Sequence, residues 1–378
     1  MSHRLSVPPD NPPQANAAPS RSGRFGRPLR FILNKRKFDE DVAAEHVFEI
    51  EVIAEARVRA EYREGPYCLS VWDKEPMESG TKRKLCLRVR ERLSSVSKVW
   101  AGVKYDPKEA IAIADEIVVL ASLFLRTRLW RGRIVRVDDV AEIVPEAKCG
   151  RLDEALVVDE GNLACLSEYM DRVEKLDGKS QAQFMLAAKM YHEALMVLES
   201  RPDMAYLNLV SAIEALAGDF ADFEKPSLSE FDPKLAKHVC EVAGGNEVLR
   251  GQIEQCVLQK ERFISRRIVA FILAHTGDAF WKTPESSDHG RVKPRSFEEL
   301  LKRVYNRRSA LLHDGTPFPD CVFRPPDNSA ALEFRLREKT GEDPAASADF
   351  LPSVAFFERL VNSVLKSYLD SRSRNPGA

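Results

Sequence analysis

Polar and apolar positions alternate with period two along the first third of the chain. Phe48, Ile50 and Val52 alternate with Glu49 and Glu51; Ala54, Ala56, Val58 and Ala60 then alternate with Glu55, Arg57, Arg59 and Glu61. This is the signature of a half-buried antiparallel strand. Residues 67–72, 85–89 and 131–137 predict further strands. Asp106-Pro107-Lys108-Glu109 predicts a helix start, with Asp as N-cap and Pro in the first helical position. That helix is expected to run to about Leu129 and to lay Ile111, Ile113, Ala114, Ile117, Val118, Ala121 and Leu125 on the sheet.

From Gly161 the period changes to that of a helix. Helices are expected over 163–176, from a Ser180/Gln183 capping box to about Glu199, and over 204–217. A long amphipathic one is expected over 246–274, and a last one over 350–369. The fold class expected is an α+β N-terminal domain, an antiparallel sheet plus a helix, followed by an all-α helical bundle. The expected domains are a tail over 1–27, the α+β domain over 28–150 and the bundle over 151–378. Two long loops, 277–295 and 314–349, carry a short element near 331–336.

Composition narrows the partners. The chain has 378 residues, 44% of them apolar, and a net charge of −1, so any case for nucleic acid must be local. A local basic arm at Arg21, Arg24, Arg27 and Arg30 reads either as a nucleic-acid contact or as a solvated tail. Trp72, Trp100 and Trp130 read either as stacking platforms or as core. The seven cysteines are scattered, with no C-x-x-C pair, and read as reduced thiols rather than disulfides or a zinc site. No signal peptide or stretch near ~20 apolar residues is visible, so a cytoplasmic protein without a membrane span is expected.

The chemistry concentrates in Tyr305-Asn306-Arg307-Arg308-Ser309-Ala310-Leu311-Leu312-His313-Asp314-Gly315. It closes a helix expected to open at a Ser296/Glu299 capping box and to stop at Gly315. Leu301, Val304, Tyr305, Leu311 and Leu312 recur as an apolar stripe, and Arg308 falls on it where a leucine would serve packing better. Ser309 and His313, four apart, share a face. One reading is structural: an Arg paired with an acid, and a His favoured at the helix C-terminus by the dipole. The other is chemical. A histidine takes a 2′-hydroxyl proton near neutral pH, a bidentate Arg stabilises the phosphoryl charge, and Ser309 orients the phosphate or the imidazole. That chemistry calls for no metal and no cofactor. Asp314 either tunes His313 or forms the turn before Gly315. Arg291, Lys293, Arg295, Lys302, Arg303 and Arg307 supply local positive charge for nucleic acid, opposed nearby by Glu298 and Glu299. Glu214 lies on an apolar stripe with Leu207 and Val210, and is expected to pair with Arg308 or Arg307.

Arg308-Ser309-Ala310-Leu311-Leu312-His313 resembles the R-x4-6-H motif of HEPN domains. Together with Val304 to Arg307 it looks most like the ApeA-like branch. Leu209-Val210-Ser211-Ala212-Ile213-Glu214-Ala215-Leu216 is similar to the helix with an AIEAL core in that branch. The resemblance covers about residues 151–320. It departs from the branch in Asp314, where Gly often follows the His, and in Ser309, where many HEPN domains carry Asn. What it implies is a HEPN-like helical bundle acting on RNA as a metal-independent ribonuclease that leaves a 2′,3′-cyclic phosphate. The implied catalytic residues are Arg308 and His313, with Ser309; Glu214, Tyr305 and Asp314 would support them. It further implies a homodimer bringing both copies' motifs into one cleft, and a toxin-like role in bacterial defence against phage. A regulatory ligand or protein at the N-terminal domain is the remaining expected partner. The alternative is a non-catalytic HEPN helical module that binds nucleic acid, nucleotide or a protein.

Overall fold

The computed structural model describes residues 28–38, 45–72, 83–92, 107–138, 140–141, 160–218, 220, 223–260, 263–282, 292, 294–319, 322 and 351–374. The expected tail, Trp100, Asp106, the boundary at Gly150, Arg291, Lys293 and the element near 331–336 lie outside these residues.

An α+β portion precedes a mainly helical one, as the period change predicts. A short helix missing from the sequence reading, α1 (Arg30–Phe38), opens it. Strands β1 (Glu45–Ala54), β2 (Arg57–Arg59), β3 (Tyr62–Glu64), β4 (Tyr67–Val71), β5 (Arg83–Arg92), β6 (Leu129–Val137), β7 (Val140–Ala141) and β8 (Glu160–Asn162) follow. Six of them form an antiparallel sheet in the order β3-β4-β5-β1-β6-β7, and β2 pairs in parallel with β8. On β1, Phe48, Ile50, Val52 and Ala54 are buried while Glu49 and Glu51 face the other side. There Glu49 accepts from Arg88 at 2.6 Å and Glu45 from Arg90 at 2.8 Å, an ion-pair ladder across β1 and β5.

The alternation expected to run unbroken to Glu61 stops after Ala54. The Glu55 amide donates to the Arg128 carbonyl at 3.1 Å, and its carboxylate accepts from the buried Arg128 guanidinium at 3.0 Å. A side chain that alternation would send outward is thereby drawn into the interior. Helix α2 (Lys108–Leu125) covers the inner face with Ile113, Ile117, Leu120 and Phe124. It ends four residues before the expected Leu129. Arg126 turns left-handed at φ 54, and Leu129 begins β6.

The helical portion comprises α3 (Leu166–Glu174), α4 (Gly178–Val197), α5 (Pro202–Ala217), α6 (Leu228–Phe231), α7 (Pro233–Ala243), α8 (Glu247–Lys260), α9 (Ile264–His275), α10 (Asp278–Trp281), α11 (Pro294–Asp314) and α12 (Val354–Arg374). Several expected starts shift. Asp177 rather than Ser180 caps α4, its carboxylate accepting from the Lys179 and Ser180 amides at 2.9 and 3.1 Å. α5 opens at Pro202, a proline in the first turn. The single helix expected over 246–274 is two, α8 and α9. Phe263 adopts φ 48 between them and packs edge-on against Phe231 with centroids 4.9 Å apart. α6, α7 and α8 hold a small core of their own around Leu228, Ala236 and Val239.

The sheet and the bundle share one apolar core reaching from Leu29 to Leu369. Its seam carries buried polar groups, at Arg128, which donates to the Leu195 carbonyl of α4 at 2.7 Å, and around Glu358. Glu358, 2% exposed at its side chain, takes the Arg126 guanidinium at 2.5 Å and the hydroxyl of buried Tyr191. Asn362 donates to the Leu123 carbonyl at 2.7 Å. These bonds tie the end of α2 to α12. Elsewhere Lys35 of α1 fills the acidic group Glu64, Asp171 and Glu174, reaching Glu174 at 2.7 Å. Among the described residues, no helix is long and apolar enough to cross a membrane.

Candidate functional site

The motif helix is α11. Pro294 begins it, two residues before the expected Ser296 cap; a proline suits the first turn because it lacks the amide that turn leaves unpaired. Phe297, Leu300, Leu301 and Val304 are buried and set the inward face. Gly315 ends the helix at φ 66, a backbone shape that glycine adopts without a side-chain clash, and the Thr316 amide donates to the Ala310 carbonyl at 3.2 Å. The helix outruns the core at this end. Leu312, expected on the apolar stripe, is 53% exposed.

Arg308 continues the inward stripe. Its Nη2 donates to Glu214 Oε2 on α5 at 2.6 Å, and its guanidinium carbon lies 5.9 Å from the Tyr305 ring centroid. The expected Glu214 pairing is thus present, and it joins the two sequence segments, 94 residues apart. Burial pushes the Glu214 carboxyl above the usual carboxylate range, and Arg308 offsets part of that rise. Burial likewise raises the Tyr305 phenol, with Glu214 adding to the effect. Arg308 Nε is buried with no hydrogen-bond partner among the described residues.

His313 and Asp314 are exposed and Ser309 is half-buried. Five helical residues turn the chain by about 500° and advance it by roughly 7.5 Å, so Arg308 and His313 point about 140° apart. The former faces α5 and the latter faces outward. Arg295, Lys302, Asn306, Ser309 and His313, spaced seven, four, three and four apart, share the outward face.

The described members of the basic set, Arg295, Lys302, Arg303 and Arg307, are spread along and around α11. Arg295 is exposed. Lys302 is held by Glu298 at 2.9 Å and Glu299 at 2.8 Å. Arg303 and Arg307 are half-buried, and burial lowers Arg303 below the usual guanidinium value. Arg291 and Lys293 lie outside the described residues.

Sequence reading missed a second polar row. Glu358, Asn362, Lys366 and Asp370 recur every four residues on α12, among buried Leu360, Val361, Val364 and Leu365. Polar residues at i+4 spacing along an otherwise apolar helix are the signal that would have found it. No family model, curated protein or solved structure matches this chain.

Proposed function

We propose that the chain is a metal-independent endoribonuclease of HEPN type that works as a homodimer, with a role as a toxin-like effector in defence against phage. The observation that carries this reading is the Glu214–Arg308 pair, which brings the two HEPN-like segments together in a half-buried setting. Glu214 positions the guanidinium, and the remaining N–H groups of Arg308 serve the scissile phosphate. His313 accepts the proton of the RNA 2′-hydroxyl as its oxygen attacks the adjacent phosphorus. The bond from phosphorus to the 5′-oxygen breaks, and that oxygen takes a proton from the histidine of the second copy. The product is a 2′,3′-cyclic phosphate and a free 5′-hydroxyl. Because Arg308 and His313 diverge on one helix, two copies meeting about a two-fold axis near the end of α11 supply the convergent set. Ser309 and Arg295, on the histidine's face, contact the substrate backbone.

The second reading is a binding module, favoured by the pairing of Arg308 with Glu214 inside one copy and by the Tyr305 ring beneath the guanidinium. Induced expression separates the two. The ribonuclease reading expects arrested growth and fragmented cellular RNA with the wild type, and neither with His313→Ala. A binding module expects intact RNA with both.

A further inference from the structure

The outer face of the large sheet, turned away from α2, carries one row of side chains that crosses from β4 to β6. The Trp72 amide, just past β4, donates to the Lys84 carbonyl at 3.1 Å. Lys84 of β5 stands opposite Ile53 of β1, and Ile53 opposite Trp130 of β6. Opposed residues of antiparallel strands point to the same side, so Trp72, Lys84, Ile53 and Trp130 form a line across the sheet. Their neighbours Leu85, Val52, Ala54 and Leu129 are fully buried on the inner face, which sets this line on the outer one. Three strand spacings of ~4.8 Å place the two tryptophans roughly 14 Å apart at the backbone. Trp72 is 41% exposed and Trp130 is half-buried. Glu51 lies in the adjoining row, two residues back along β1. Its carboxylate is 3.6 Å from Lys84 Nζ and leans over Gly132, where a Cβ would come within 2.6 Å of Oε2. Glycine at 132 is what lets the carboxylate lie there.

An indole this exposed on a flat sheet face is stabilised by a planar group laid against it, and a nucleobase stacked on the ring is such a group. Beside the ring, the Lys84 ammonium donates to a phosphate or a base carbonyl, and the Glu51 carboxylate accepts from base N–H groups. Sheet surfaces that hold unpaired bases use this combination of strand-borne aromatics and polar groups at the base edges. Further along the face the arginines are held by acids, Arg88 and Arg136 by Glu49 and Arg90 by Glu45. The face therefore offers a ligand its aromatic surface and a donor–acceptor pair at the tryptophan end. We infer that this end of the sheet binds a nucleobase and its phosphate, with the base stacked on Trp72, carried either by single-stranded RNA or by a free nucleotide. The site lies apart from α11 and goes beyond the ribonuclease reading.

The test is binding of a fluorescein-labelled, unstructured oligoribonucleotide to full-length His313→Ala protein, in which the strand stays intact, with AMP, GMP, CMP and UMP as competitors. Binding is expected, and adding Trp72→Ala should weaken it about fivefold to a hundredfold, the scale of one base stacked on an aromatic ring. Trp72→Phe should keep most of it. Lys84→Gln should flatten the dependence of log K on log salt by about 0.7, one single-strand phosphate, and Lys84→Arg should not. Leu186→Ala, at an exposed leucine on α4, should leave affinity and slope unchanged. A strand that binds more tightly than every mononucleotide identifies RNA as the ligand; equal affinities identify the free nucleotide. Ultraviolet cross-linking of the wild type, mapped by mass spectrometry, needs no variant and should place the bound base at Trp72. Binding lost in Trp72→Ala supports the site even where wild type does not cleave RNA. Cleavage by wild type together with full affinity in folded Trp72→Ala overturns the site alone. Absence of strand and nucleotide binding, or cross-links that fall only elsewhere, overturns it as well.

Discussion

A double-mutant cycle on Glu214 and Arg308 probes the contact that joins the two halves of the motif. Their side chains are 22% and 18% exposed and their contact is 2.6 Å. An exposed pair is worth ~0–1 kcal/mol. Breaking a fully buried one costs ~3–5 kcal/mol, because the survivor is left desolvated and uncompensated. At this depth Arg308→Met and Glu214→Leu should each cost about 2 kcal/mol. The double replacement should behave differently. Burial raises the Glu214 carboxyl more than Arg308 lowers it, so the desolvation cost of that charge exceeds the attraction. Apolar side chains of similar volume in both places escape that cost, and the double variant should lie within ~1 kcal/mol of wild type. The coupling energy is then at least about 3 kcal/mol. Urea unfolding of the four proteins, followed by circular dichroism, measures it. Additive single effects, with coupling below ~0.5 kcal/mol, would refute the reasoning, because α5 and α11 would then not be joined through this pair.

Two further outcomes follow from the packing. Glu358→Ala leaves Arg126 and the Tyr191 hydroxyl without their acceptor at the seam between α2 and α12, and should cost ~3–5 kcal/mol in urea unfolding. Asp138 accepts from the Val47 amide at 2.8 Å and pairs with His46. Desolvation raises its carboxyl, but these two bonds outweigh it and hold the folded pKa below the unfolded one. Its stabilisation is therefore present above the unfolded value and lost as pH falls through the folded one, so the Tm gap between wild type and Asp138→Asn should be open at about pH 6 and close below about pH 3.

What the sequence made legible was whatever depends on local periodicity. The alternation around Ile50 fixes which face of β1 is buried, and the stripe through Leu301 and Val304 fixes the inward face of α11. Arg308 and Glu214 were readable as partners because each puts a charge on an apolar stripe, and two such charges satisfy one another. Breaks imposed by distant contacts were not readable. The pattern runs straight through Phe263, whose left-handed backbone is held where its ring meets Phe231 and Phe223. Likewise Glu55 leaves the alternation where it pairs with the buried Arg128, 73 residues on. α1 escaped notice because its buried Phe31 and Ile32 sit within a short basic run that reads as an arm. The divergence of Arg308 and His313 was implicit in their spacing of five, yet which of them faces inward depends on where α5 lies.

The most direct measurement is cleavage of end-labelled RNA by purified protein in excess EDTA, comparing wild type with His313→Ala and Arg308→Ala, each verified as folded by circular dichroism. Wild type is expected to leave 2′,3′-cyclic phosphate ends with EDTA present. Loss of either side chain should lower the rate at least about a hundredfold, the usual scale of general acid–base and charge-stabilising groups. Folded variants that cleave at the wild-type rate, or cleavage abolished by EDTA, would contradict it.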